Sequence, residues 1–206
     1  SFMKKRSYIP VLFMIFVAKM LPFNWIIGSY HATFSWTTML APALVKHYGF
    51  AWISLFFISK TLFSASWMFS LLHRTPLLFS AHAYRQRHWL TSFLIPAACM
   101  LLFVMHEVGS VAWCYSLYWL IPMILYFCPN VSVTRALSSS FVAHAVGSVI
   151  WLYTKMIPAK VWIALIPVVA CERLLMAGGI VMVDVLIVYG FKLQIWNRAC
   201  KILGWA

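Results

Sequence analysis

Two stretches of this chain place the same chemistry-bearing residues at the same spacing. FVMHEVGSVAWCYS occupies 103–116 and FVAHAVGSVIWLYT occupies 141–154, 38 positions apart. Each reads His-x-x-Gly-Ser-x-x-Trp: His106, Gly109, Ser110 and Trp113, then His144, Gly147, Ser148 and Trp151. On a helix these fall at i, i+3, i+4 and i+7, one continuous stripe. Two such stripes turned toward each other make the walls of a pocket. Imidazole and indole would stack on and hydrogen-bond a flat ligand, and the glycines would leave it room. The same stripes also suit a duplicated packing seam, because small residues let membrane helices approach and a histidine can bond across. A third use is haem held between the neutral imidazoles of His106 and His144. Apart from that alternative, no cofactor or metal is expected. His106 and Glu107 are adjacent rather than a turn apart, and the chain has no HExxH.

Charged residues inside apolar runs are the other carriers of chemistry. Glu172-Arg173 lies in the middle of the last apolar stretch, and Asp184 follows about three turns later. Ionisable groups embedded in a membrane are functional candidates by default. Glu172 and Arg173 could receive the polar ends of a substrate. Alternatively, Glu172 only neutralises Arg173, Lys60 or Lys19. No catalytic set accompanies them. Ser138–Ser140 precede His144, but no acid completes a triad, and the chain has neither a phosphate-binding glycine loop nor an acid cluster. The expectation is a protein that binds rather than one that catalyses.

The elements that must position these residues are apolar helices. The 206 residues are 64% hydrophobic and 9% charged, against roughly 25% charged in a soluble domain. This predicts an all-α integral membrane protein, a single domain over 1–206 with about six transmembrane helices in one compact bundle. The stretches are 8–23, a short 37–45 closed by Lys46-His47-Tyr48-Gly49, 50–72, 89–119, 135–154 and 161–190, the last interrupted by Pro167 and Gly178-Gly179. A basic loop, His73 to His88, follows the third. The first stretch contains Lys19 and Pro22 and lacks a small-residue cleavage site, so it reads as a span and not as a leader. Ser1-Phe2 ahead of Met3 reads as a cloning remnant. The tail, 191–206, alternates bases with Trp, Ile and Leu and reads as an amphipathic helix at the interface.

One register is open to two readings. Glu107 could end a helix and leave 108–127 as a separate span. Because the second copy of the motif sits in mid-helix, like sequence argues for one helix over 91–118, with LIPMILYFCP, 120–129, unplaced. Sixteen bases against three acids give a net charge of +13. The bases flank apolar spans, which points to lipid headgroups and not to nucleic acid. With the N-terminus inside, more bases fall on the inner side, and Arg74, Arg85, Arg87, Lys155 and Lys160 form a basic outer mouth that would attract anions. Five cysteines without CxxC spacing read as small buried residues.

In layout the chain resembles the substrate-binding S-components of energy-coupling factor (ECF) vitamin transporters. The features that carry the resemblance are the long link SYHATFSW after the first span, the short second helix with Pro42, the pattern SSSFVAHAVGSVIW and the segment LIPVVACERLLMAGG. The resemblance implies a multi-pass protein of the bacterial inner membrane that imports a small, flat, vitamin-like nutrient. It also implies a partner energising module, and a lid over 24–36 that brings His31 and Trp36 to the substrate. Members often carry alanines four apart on the first helix, for docking on the coupling subunit. VLFMIFVAKML offers only Ala18, which leaves a solitary transporter as the alternative. A structural membrane subunit without a ligand is the remaining reading.

Overall fold

The computed structural model describes residues 23–27, 30–34, 36–50 and 72–203, with side chains over 38–50 and 72–190. The first expected span, most of the third, and Lys19 and Lys60 with them, lie outside the described residues. Helices dominate, as the composition predicts. A two-stranded antiparallel hairpin, β1 (Phe23–Ile27) and β2 (Tyr30–Phe34), is added where a loop was expected, with Phe23 opposite Phe34.

Helix α1 (Trp36–Tyr48) contains Pro42 and ends at Gly49, whose φ of +87° closes the last turn and whose N–H donates to the Val45 carbonyl at 3.0 Å. Helix α2 (Thr75–Arg85) replaces the expected basic loop. Its bases, His82 and Arg85, sit in the last turn, while PLLFSA, 76–81, is apolar or small, and the helix buries Ser80, Ala81, Ala83 and Tyr84. Pro76 stands in the first turn, where a missing N–H costs nothing. A π-helical turn, Leu90–Leu94, leads into α3 (Ile95–Met105). Then come α4 (Glu107–Val111), a 3-10 helix at Trp113–Trp119, and α5 (Leu120–Leu125), which gives 120–129 its place against the central helix. That central helix is α6 (Ser132–Thr154). A short α7 (Ala159–Ala164) precedes α8 (Ile166–Leu203).

Two expectations about continuity are corrected. The single helix over 91–118 breaks at His106, whose backbone is extended at φ −82°, ψ 139°. The His106 imidazole caps the next helix, its Nδ1 accepting from the Val108 N–H at 3.2 Å. Glu107 then occupies the first turn of α4, where a carboxylate favours the positive end of the helix dipole. Conversely, α8 is not broken. It runs through Gly178-Gly179 and into the tail, so the expected interfacial helix is the continuation of α8. Pro167 falls in its first turn.

Around α6 the packing buries small polar groups among apolar ones and leaves many large apolar side chains exposed. Ser138, Ser139, Ser140, His144 and Ser148 on α6 are buried, as are Ser80, Thr91, Ser92, Ser116 and Asp184. Leu101, Met105, Val111, Ile124, Phe127, Leu174, Val185 and Leu186 are all exposed. The serines permit close helix approach: Ser80 and Ser139 hydroxyls meet at 2.8 Å, and Ser139 Oγ also donates to the Ser80 carbonyl. Two arginines cap helix ends. Arg135 donates from Nε to the Tyr84 carbonyl at 2.7 Å and from Nη2 to the Tyr84 and Arg85 carbonyls, closing α2. Arg87 Nη2 donates to the Leu125 and Tyr126 carbonyls at the end of α5. Both are positive charges at the negative end of a helix. Arg87 therefore does not stand free in a basic mouth.

Candidate functional site

A cleft of about 240 Å³ opens between α1, α2, α6 and α8. Its polar lining comes from Thr38, His73, Ser80, Ser140, Glu172 and Arg173. The remaining wall is aliphatic: Pro76, Leu77, Ala143, Met176 and Ile180. Local sequence explains the placement. Glu172 and Arg173 lie on the second turn of α8, and Ser140 Oγ on α6 donates to the Arg173 carbonyl at 3.2 Å, pinning that turn to the central helix. Ala143, one turn after Ser140, keeps the wall low.

Glu172 and Arg173 form an ion pair with each other, through Oε1 and Nη2. Of the expected neutralising partners, the neighbour Arg173 is engaged, while Lys19 and Lys60 lie outside the described residues. The arginine side chain is 12% exposed and the glutamate 26%. The Arg173 Nε is buried and makes no hydrogen bond. The pair therefore offers a mostly buried guanidinium and a partly accessible carboxylate, side by side in a cavity of mixed polar and aliphatic lining. This arrangement can bind charge; among the lining residues nothing stands as an activated nucleophile.

The other expected site residues lie elsewhere. His144 is buried against the rings of Tyr115 and Trp119, at centroid distances of 5.3 and 6.3 Å. Gly147 faces Pro76: a Cβ there would meet the ring at 3.6 Å, ordinary contact. Gly109 is under a stronger constraint, because a Cβ would fall 1.8 Å from the Phe103 carbonyl oxygen. Trp113 and Trp151 are each about half exposed, at 53% and 52%. His31 pairs opposite Ile26 in the hairpin, and Trp36 is the first residue of α1, two positions before Thr38 of the cleft.

The two copies of the motif do meet, though not as facing stripes. His106 of the first copy packs edge-on against Tyr153 of the second at 5.0 Å. Tyr115 of the first packs on His144 of the second at 5.3 Å. Histidine and tyrosine hold the same two places in each copy, nine positions apart. The contacts are thus reciprocal, the relation expected of an isologous interface, realised within one chain. Hydroxyls add to it: Tyr115 lies 3.4 Å from Ser148, and Tyr153 donates to the Leu102 carbonyl at 2.9 Å. His144 and Tyr153 are separated by nine residues of helix, about 13 Å. Each imidazole packs on the tyrosine of the other copy.

A second polar cluster ties α1 to α8. Asp184, 3% exposed, receives Lys46 Nζ on Oδ2 and His47 Nε2 on Oδ1, both at 2.6 Å, with Ser132 Oγ at 3.3 Å. Sequence reasoning noted Asp184 as a buried charge but missed its partners. The signal was the Lys46-His47 pair closing a short helix that has no acid of its own. It also missed as lining residues Thr38, Ser80 and Ser140, single polar positions on apolar helices, and His73, which lies in the turn before α2.

No protein-family model matches the chain, and no curated protein or solved structure does.

Proposed function

We propose that this chain is a membrane-embedded binding protein for a small nutrient, an importer or the substrate-binding subunit of one, with the α1–α2–α6–α8 cleft as its site. The observation that carries the reading is the Glu172–Arg173 ion pair lining that cleft. The arginine side chain is 12% and the glutamate side chain 26% exposed, and the exposed parts of such a pair can bond the polar groups of a ligand. The membrane setting is supported by the large apolar side chains left exposed, among them Leu101, Met105, Phe127, Leu174 and Val185, around a core that holds serines and Asp184 as well as apolar residues. Among the described residues, α6 is long and apolar enough to cross a bilayer. We carry forward a bundle of about six spans, the bacterial inner membrane, and an ECF-type or solitary importer, on the sequence resemblance already given.

The cleft shifts the expected ligand. Among the described lining residues there is no Trp, Tyr or Phe, and the aromatic ring present is the His73 imidazole. An aliphatic or compact solute suits it better.

The test is extraction of cell membranes with a mild detergent, followed by native mass spectrometry. The chain is expected only in the detergent extract, carrying a small-molecule mass that is lost on harder activation. Release from membranes by alkaline carbonate, or a bare chain under the gentlest conditions, would overturn the proposal.

A further inference from the structure

We infer that the ligand of the cleft is an α-amino acid with a medium-sized aliphatic side chain, an inference that rests on the cleft being the binding site. Three features select this class. The first is charge balance. Glu172 and Arg173 cancel, and a bundle interior bordered by lipid penalises any net charge brought into it. A ligand without net charge keeps the site neutral; a simple carboxylate or a simple amine does not.

The second is the geometry of the pair. Arginine presents five N–H donors in a planar fork that matches a carboxylate. Here Nη2 serves Glu172, while 12% of the arginine side chain remains exposed. Glu172 uses Oε1 for Arg173, and its carboxylate, with about four acceptor positions, is still a quarter exposed. The head groups of Glu172 and Arg173 are in contact, so a ligand that bonds both must carry its two charges close together. An ammonium and a carboxylate on one carbon meet that condition. A zwitterion with its charges several carbons apart does not.

The third is the remaining volume. The cleft of about 240 Å³ corresponds to about eight water molecules at 30 Å³ each, below the 300–1,000 Å³ range of drug-sized ligand pockets. Beyond the charged pair, its wall combines the aliphatic Leu77, Ala143, Met176 and Ile180 with the small hydroxyls of Thr38, Ser80 and Ser140 and with Pro76 and His73. An isobutyl or similar side chain fills that space and buries against aliphatic carbon.

The experiment is a thermal-shift and calorimetric comparison on the full-length protein in lipid nanodiscs, with three matched probes. L-Leucine carries both charges, 4-methylpentanoate lacks the ammonium, and 3-methylbutylamine lacks the carboxylate. L-Leucine is expected to raise the unfolding temperature and to bind at least tenfold more tightly than either truncated probe. Arg173→Gln and Glu172→Gln should each lose at least tenfold in leucine affinity. Equal binding of 4-methylpentanoate would overturn the amino-acid assignment while leaving the cleft as a binding site. Binding of none of the three would also overturn it, and the native mass spectrum then judges the cleft independently. Because the probe series uses the unmutated chain, a variant that fails to fold does not weaken the test.

Discussion

Alanine at the two motif glycines should act in opposite directions. At position 147 the new Cβ meets Pro76 at 3.6 Å within a continuous helix. Only the gain in helix preference remains, about 0.5–1 kcal/mol. At position 109 the Cβ would sit 1.8 Å from the Phe103 carbonyl oxygen and 2.8 Å from its carbonyl carbon. That obstacle is backbone, and Phe103 is itself fully buried among Tyr115, Trp119 and Trp162. Neither side can swing away, so the overpacking cost falls near the upper end of its range, about 3 kcal/mol. Subtracting about 1 kcal/mol of helix preference leaves Gly109→Ala about 2 kcal/mol less stable. For a chain of this length 1 kcal/mol corresponds to roughly 2–4 °C. Gly109→Ala should therefore melt about 4–8 °C lower, and Gly147→Ala level or up to about 4 °C higher. Intrinsic tryptophan fluorescence during heating in detergent reads both. Equal shifts for the two variants would refute the claim that the copies fold differently around His106.

Other substitutions test the remaining contacts. Lys46→Met should destabilise by about 3 kcal/mol, because it leaves the buried Asp184 with His47 and Ser132 but without its ammonium. Adding Asp184→Leu should recover part of that loss in a double-mutant cycle, and strict additivity would contradict the pair. Arg135→Ala should cost about 2 kcal/mol by uncapping α2. Arg135→Lys should restore less than half of this, since a lysine cannot fork across two carbonyls; full restoration by lysine would argue against the cap. Tyr153→Phe should cost about 1 kcal/mol for the bond to the Leu102 carbonyl, and no change in denaturant midpoint would remove that contact from the account.

What the sequence made legible depended on whether the information was local. Helix dominance follows from composition, and the choice of Glu172-Arg173 as candidates follows from charge in an apolar run; both residues line the cleft. The fate of the motif was not local. The copies match at His, Val, Gly, Ser, Val, Trp and Tyr, yet Ala143 and Ala145 flank one histidine while Met105 and Glu107 flank the other. Alanine offers no alternative to the helix. Glu107 gives a new helix a favourable first turn, and His106 gives it a cap. The break at Glu107 was one of two registers the sequence allowed, and similarity to the second copy pointed to the other. The basic composition of 73–88 likewise concealed α2, because its charges mark helix ends rather than an irregular loop. The cleft itself joins residues from four helices, and no periodicity along one segment reports that meeting.

The central claim is that the space beside Glu172 and Arg173 holds a ligand. Ala143 on its wall can be enlarged without touching either charge. Native mass spectra of the unmodified chain and of Ala143→Phe, extracted in the same detergent, should show a bound small molecule on the first and none on the second, with melting temperatures within a few degrees. A bound mass retained by the filled variant would place the ligand elsewhere and contradict the account.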